Sequence, residues 1–228
     1  MASTGFALDA TAVSIIEGHV RLLLAWNEAI NLTSISDPAA VARLHVADSL
    51  AALPLLAELP HDAVLDLGSG GGFPGLPLAA TRPEATVTLV ESIGKKAAFL
   101  SMAVEALDLA GRVAVAVARA ETLPRGRWDV VVARAVGSLA ELAELGLPLL
   151  VTGGRILAWK RGDLAAELAA ATRAAADLGG APPIFRSHPT ALASAAGIEG
   201  HGIVVIRKVR PTPPGFPRDP AARRRRPW

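Results

Sequence analysis

Val64-Leu65-Asp66-Leu67 leads directly into Gly68-Ser69-Gly70-Gly71-Gly72-Phe73-Pro74-Gly75, and the apolar run that follows ends on Glu91. This reads as a buried strand, a glycine loop and a second strand closed by a carboxylate. Glycine is needed where a backbone takes positive φ or approaches a ligand so closely that a Cβ would collide. A loop of this kind leaving a buried strand makes a nucleotide-sized pocket.

Gly70, Gly72 and Gly75 satisfy G-x-G-x-x-G, so by letter count a dinucleotide site stays open. The surroundings weigh against it. Asp66 stands two residues before the first glycine, where a dinucleotide fold continues its apolar strand. Pro74 and Pro77 delay the next helix and leave fewer free N–H groups for a pyrophosphate. The loop suits a ligand without phosphates. The order apolar-apolar-Asp-apolar-Gly-x-Gly-x-Gly resembles the first motif of the class I S-adenosylmethionine-dependent methyltransferases, whose ligand carries an amino-acid tail and a sulfonium. That resemblance implies a Rossmann-like α/β fold, with Glu91 accepting hydrogen bonds from both ribose hydroxyls. A packing turn beside a surface carboxylate is the plain alternative.

Elsewhere the chain alternates. Val13, Ile16, Val20, Leu23 and Leu24 recur at helical spacing and predict a helix over 11–29. A second helix is expected from Pro38, with Asp37 as its cap, to about Leu59. Trp26-Asn27-Glu28-Ala29-Ile30-Asn31-Leu32-Thr33 forms a polar loop with an aromatic anchor between them. Strands over 63–67, 86–91, 112–117, 128–133 and 154–159 then alternate with helices over 75–81, 94–108, 138–148 and 163–179. This βαβ rhythm predicts a mostly parallel sheet. Gly202-Ile203-Val204-Val205-Ile206 should pair with Phe185 and its neighbours as a terminal antiparallel hairpin. The expected division is an N-terminal helical cap over 1–61, the sheet domain over 62–209 and a Pro-rich basic tail over 210–228.

A chain of 228 residues, 51% of them hydrophobic, can bury such a core in one domain. The lack of cysteine excludes disulfides and thiolate metal sites, fits a reducing compartment, and leaves no metal expected. No signal-like segment opens the sequence, and no apolar run reaches the roughly 18 residues of a membrane span. A cytoplasmic monomer without membrane association is the expectation.

The net charge of +2 conceals an asymmetry. From Arg207 onward there are eight Lys or Arg against one acid, a balance of +7, and the preceding residues carry −5. Pro211, Pro213, Pro214, Pro217 and Pro220 interrupt that segment, so it is expected to be extended and mobile. It reads either as an arm that grips phosphates or as an inert solvated tail.

Ligands of open parallel sheets bind at the carboxyl ends of the strands. The residues in question are Gly68 to Phe73, Glu91-Ser92, Arg119-Ala120-Glu121, Arg134-Ala135 and Lys160-Arg161, with Lys95 and Lys96 just past Glu91. The gathering of bases favours a polyanionic substrate. Polar loops also place bases after strands for no functional reason.

Taken together, Trp26-Asn27 with Asn31-Leu32-Thr33, His45-x-x-Asp48-Ser49, the Asp66 to Gly75 loop, Glu91-Ser92-x-x-Lys95-Lys96, Arg119-Ala120-Glu121 and Arg134-Ala135 closely resemble the ribosomal small-subunit methyltransferase G family, also called glucose-inhibited division protein B. The resemblance covers about residues 20 to 161 and continues weakly through Gly200 to Lys208. Glu91 departs from it, standing where relatives often have Asp, as does Gly71, where many have Pro.

The resemblance implies methylation of guanine N7 in bacterial 16S ribosomal RNA, free or in the small subunit, with S-adenosylmethionine as donor. By position, Gly68, Ser69, Gly70 and Phe73 would line the donor, Glu91 and Ser92 hold its ribose, and Ala120 and Glu121 flank its adenine. Arg134 would sit catalytically at the junction of donor and target. Lys95, Arg119 and Lys160 would meet RNA, as would Arg223, Arg224, Arg225 and Arg226. Arg134 could instead brace Asp66 or Asp129. His45 and Asp48, three apart on one helical face, read more readily as a structural pair anchoring the cap than as catalysts. Trp26 reads more readily as a core anchor than as a stacking platform.

A guanine N7 already presents its lone pair, so methylating it requires no general base. The sequence shows no obvious one. Pyrimidine C5 methylation uses a cysteine, and exocyclic amine methylation an Asn or Asp-Pro-Pro-aromatic motif; both are absent. An NAD-dependent oxidoreductase would need a pair such as Tyr-x-x-x-Lys, and the chain has no tyrosine. A non-catalytic ribosome-assembly platform would have no use for Gly68, Glu91 and Arg134.

Overall fold

The computed structural model describes residues 7–58 and 63–228. Its seven strands are β1 Ala63–Leu67, β2 Thr86–Glu91, β3 Val113–Val117, β4 Trp128–Arg134, β5 Leu150–Arg161, β6 Ile184–Ser187 and β7 His201–Arg207. They form one sheet in the order β3-β2-β1-β4-β5-β7-β6. The first five pair in parallel, and β7 runs antiparallel to both β5 and β6. The direction of winding reverses between β1 and β4, where an open sheet leaves its crevice.

Successive side chains of a strand face opposite sides, and the two sides hold separate cores. Val64, Val130, Val132 and Leu157 pack with Ile16 and Leu23 of α1 (Ala10–Ile30), Leu76 and Leu78 of α5 (Gly75–Thr81), and Phe99 of α6 (Gly94–Ala106). Leu65, Val131, Ala133 and Ile156 face the other way, onto Leu139 and Leu142 of α7 (Leu139–Gly146) and Ala171 and Leu178 of α8 (Ala165–Leu178). Trp26 packs against Phe99 at 5.9 Å between ring centroids, as a core anchor.

The single helix expected from Pro38 is broken into α2 (Pro38–Val41), a π-helical stretch Ala42–Ala47, α3 (Asp48–Leu50) and α4 (Leu53–Ala57). Pro54 accounts for the gap before α4, since it lacks an N–H and crowds the carbonyl of Leu50. By length and composition Pro38–Ala57 could cross a membrane. Here it buries Val41, Val46, Leu50 and Leu56 in the first core. The expected end at Leu59 and the boundary before residue 62 lie outside the described residues. β5 begins at Leu150 rather than 154, with a register shift between Trp128 and Val130. The short α9 (Thr190–Ala196) was not expected either.

The tail departs most from expectation. It is not an extended arm but is folded onto the second core. Arg125 donates to the carbonyls of Thr212 (2.8 Å) and Phe216, and the Phe216 and Trp228 rings stack at 6.1 Å. Asp219 accepts from the N–H groups of Ala221 and Ala222 at 2.9 Å and starts α10 (Pro220–Arg225), with Pro220 at its first position. The prolines set turns instead of preventing order. The pull comes from Glu144, fully buried on α7, whose carboxylate takes Arg218 Nη2 at 2.5 Å, Arg218 Nε at 2.9 Å and Trp228 Nε1 at 2.7 Å. A buried carboxylate requires such partners.

Candidate active site

The glycine loop is tied to the end of β2: Gly68 and Ser69 N–H donate to the Val90 carbonyl at 2.9 and 3.0 Å. Gly68 and Gly72 take φ of +75° and +89°, and a Cβ on Gly68 would meet Val136 Cγ2 at 2.7 Å. Neither can carry a side chain without strain. Glu91 reaches back to the loop, its Oε2 accepting from Gly70 N–H at 3.1 Å and its Oε1 from Ile93 N–H at 2.8 Å. Glu91 and the loop are therefore one preformed unit.

Asp66 lies beneath this unit. Its Oδ2 accepts from Gly75 N–H at 3.0 Å, while its buried Oδ1 has no partner. Burial pushes its pKa up to about 7, although the Gly75 hydrogen bond opposes the rise. Gly75 has a packing role, since a Cβ there would meet Leu89 Cδ2 at 2.4 Å and Asp66 Oδ2 at 2.6 Å. An open-backbone loop, an acidic residue beside it and an unsatisfied buried carboxylate oxygen fit a cationic donor with a ribose and an amino-acid tail.

Arg134, at the end of β4, braces neither Asp66 nor Asp129. Its Nη1 donates to Asp48 Oδ2 and to the Leu44 carbonyl, both at 3.3 Å, and its guanidinium lies 5.2 Å from the Phe73 ring centroid. Asp48 Oδ1 is shared by His188 Nε2 at 2.8 Å and His201 Nδ1 at 3.2 Å, and the Asp48 carbonyl accepts from Trp159 Nε1 at 2.7 Å. Burial opposes ionisation of Asp48, but its histidine and arginine partners prevail and hold its pKa below the ordinary value. Asp48 is thus the hub that joins the cap to β5, the hairpin and Arg134. Next to Arg134, Ala135 takes φ of +59°, which a residue with a Cβ rarely adopts.

His45 does not pair with Asp48 as the sequence spacing suggested. Its Nε2 meets Thr33 Oγ1 at 2.8 Å and its Nδ1 donates to the Leu44 carbonyl at 3.2 Å. Asn27 Oδ1 accepts from Thr33 N–H at 2.8 Å, and Asn31 closes α1 in the left-handed region, so the Asn-Leu-Thr segment is a turn built to present Thr33 to His45. Phe73 is nearly buried, with His19 at 4.5 Å and His45 at 5.0 Å between ring centroids, and its ring supports Arg134. Burial lowers both histidines to about 4, leaving them neutral. A cleft of about 630 Å³ opens beside Arg134, bounded by Ile35, His45, Asp48, Trp159, Lys160 and His201.

The sheet brings Gly68, Ser69, Gly70, Glu91, Ala120 and Arg134 to one edge, as expected. Ser92, Lys95 and Arg119 are exposed there. Two expected RNA contacts are not free. Lys160 Nζ binds Glu167 Oε1 at 2.6 Å and the Gly137 carbonyl at 3.2 Å, fastening the loop after β4. Arg223 binds Glu121, whereas Arg224, Arg225 and Arg226 are exposed. The Asp48 pairing with His188 and His201 was not legible beforehand, because 140 and 153 residues separate the partners and neither histidine sits in a motif.

A family model described as rRNA small subunit methyltransferase G matches residues 13–187. A ribosomal RNA small subunit methyltransferase G of Roseiflexus sp. (strain RS-1) is 43% identical over 98% of this chain and 94% of its own length. One from Sorangium cellulosum (strain So ce56) is 46% identical over 75% of this chain and 74% of its own. Among solved structures, the S-adenosylmethionine-dependent methyltransferase SibL aligns with a TM-score of 0.58 at 18% identity, over 88% of this chain and 70% of that one. A T. thermophilus 16S rRNA N2 methyltransferase in complex with AdoMet and guanosine gives 0.50 at 18% identity, over 74% and 40%.

Proposed function

The chain belongs to the rRNA small subunit methyltransferase G family, an S-adenosylmethionine-dependent rRNA methyltransferase of the 16S small subunit, and from that premise we propose that it methylates N7 of a guanine by in-line transfer without a general base. The observation that carries this reading is the state of the groups around the cleft. His45 is neutral with both ring nitrogens engaged, and both oxygens of Asp48 are taken by Arg134 and the two histidines. Asp163 Oδ1 accepts from Ala165 N–H at 3.0 Å, and Glu167 Oε1 from Leu139 N–H at 3.0 Å as well as Lys160. Of the groups nearest Arg134, His45 and Asp48 are thus fully engaged, and neither is poised to remove a proton. N7 presents a lone pair and needs none removed.

The donor supplies an electrophilic methyl group on a sulfonium. In the proposed roles, the Gly68 to Gly70 backbone and Glu91 orient it through the ribose, while Ala120 flanks the adenine. Arg134, fixed by Asp48 and Phe73, orients the target base. Alignment of this kind contributes on the order of 7 to 11 kcal/mol. A preorganised pocket does the rest by meeting charge as it develops. Lys95, Arg119 and Arg224 to Arg226 are the proposed contacts to RNA phosphates, in a cytoplasmic setting. The test is incubation with labelled donor and small subunits from cells lacking the protein, followed by mapping of the modified atom. Label at an exocyclic amine or a ribose would overturn the N7 assignment.

A further inference from the structure

We propose that Arg223 is a positioning residue for the methyl donor, clamping the Ala120–Thr122 turn against α7 so that the adenine side of the pocket is preformed. The inference rests on the assignment of Ala120 and Glu121 to that side. Arg223 Nη2 meets Glu121 Oε1 at 2.5 Å, its Nε lies 3.6 Å from Glu141 Oε1, and its Nη1 donates to the Arg218 carbonyl at 2.6 Å. Its side chain is only 11% exposed.

The two carboxylates come from different parts of the crevice. Glu121 belongs to the 3₁₀ turn that follows β3, and Glu141 to the first turn of α7, just beyond the loop that leaves Arg134. β2 and β1 separate β3 from β4 in the sheet, so one guanidinium spans the loops at both sides of the crevice. Without it, Glu121 and Glu141 would lose their shared counter-charge, and the Glu121 carboxylate would keep only its own backbone N–H and the charge of Arg119. Burial raises the Glu121 pKa, but the Arg223 hydrogen bond outweighs it and keeps the carboxyl below its ordinary value.

The tail does not depend on this contact for its docking. Arg218 and Trp228 are held separately by Glu144, and Phe216 packs on the second core. Neutralising Arg223 should therefore loosen the turn and leave the tail in place. A basic tail is thereby divided: Arg223 faces inward to the donor, and Arg224 to Arg226 face solvent.

The experiment compares full-length wild type, Arg223→Ala, Arg223→Lys and an Arg224→Ser/Arg225→Ser/Arg226→Ser variant. The readouts are calorimetric Kd for S-adenosylmethionine, KM for small subunits across a salt series, and Tm. Arg223→Ala is expected to raise the donor Kd about fivefold to tenfold, as pre-organisation is lost, with subunit KM and its salt slope nearly unchanged and Tm lowered, since Glu121 and Glu141 lose their counter-charge. Arg223→Lys should recover only part, because an ammonium cannot fork between two carboxylates. The effect should be non-additive with Glu121→Gln if Arg223 acts through that residue. Should Arg223→Ala not fold, the lysine variant carries the test alone. Unchanged donor Kd in the folded variants overturns the proposal, and a raised subunit KM with a flatter salt slope instead makes Arg223 an RNA contact. A wild type that binds no donor, or a Glu91→Ala variant that binds it normally, would refute the pocket assignment itself.

Discussion

Arg134 at the end of β4 and Asp48 in the cap meet at 3.3 Å, although 86 residues separate them in the chain. Both side chains are largely buried, at 17% and 6% exposure, so each is the other's principal counter-charge. Removing one member of such a pair leaves a buried charge unpaired, which costs about 3 to 5 kcal/mol. Asp48→Ala should lose stability on that scale in urea titrations, because it strands His188 and His201 as well. Asp48→Asn keeps the hydrogen-bonding shape and should lose less.

Arg134→Ala tests the other side of the pair. If the guanidinium orients the target against the donor, kcat should fall far more than donor affinity, and lysine should substitute poorly. Calorimetry and single-turnover methylation on the same preparation separate the two. A variant that is merely less stable, with normal turnover in its folded fraction, would reduce Arg134 to a brace for Asp48.

Glu91→Ala removes both the proposed ribose acceptor and the bonds that hold Gly70 and Ile93. Donor affinity should drop by about 1.5 to 3 kcal/mol, the range for hydrogen bonds to a charged group. Unchanged affinity would take Glu91 out of the site.

The crevice was legible because its parts are local. Asp66, the glycines and Glu91 lie within 26 residues, and strand periodicity fixed which end of the sheet they share. Arg134-Ala135 followed from its place just after an apolar run. The hub around Asp48 was not legible, since a hydrogen bond between residues 48 and 188 leaves no periodic trace. The tail was misread for a related reason. Proline and arginine density describes a segment's own preferences, whereas Glu144, buried in α7, reads from sequence as one more polar residue on a helix. Only packing makes its carboxylate demand Arg218 and Trp228.

Opposed titrations set the acid response. His19 stays neutral in the folded chain down to about 4, while the unfolded chain binds a proton below 6.5, so its contribution is lost as pH falls through that window. His45 acts in the same direction. Asp66 does the reverse: raised from 3.8 to about 7, it holds a proton in the folded chain that the unfolded chain has released, so its contribution is present at low pH and lost as pH rises toward 7. Stability should therefore decline on acidification from about 6.5 to 4, and Asp66→Asn should steepen that decline by up to about 1.4 kcal/mol per pH unit. Urea unfolding of both proteins across the window checks it. Equal slopes would mean that Asp66 is ionised throughout.

The outward arginines give the remaining test of RNA contact, and the docked tail dictates how it must be made. Deleting residues 211–228 would strip Arg218 and Trp228 from the buried Glu144 carboxylate, so a truncation would confound lost RNA contacts with lost stability. Replacing Arg224, Arg225 and Arg226 with serine leaves those anchors untouched. Each phosphate neutralised contributes about 0.9 to the salt slope on duplex nucleic acid and about 0.7 on single strands, so the variant should flatten the slope by roughly two to three units. Donor affinity should not change, and the same guanine should be modified, because phosphate contacts position a protein without reading bases. Subunit binding by wild type and variant across a salt series, with the modified base mapped in both, provides the measurement. Superimposable curves would show these three arginines to be solvated surface, and a shifted target would show that they help to choose the site.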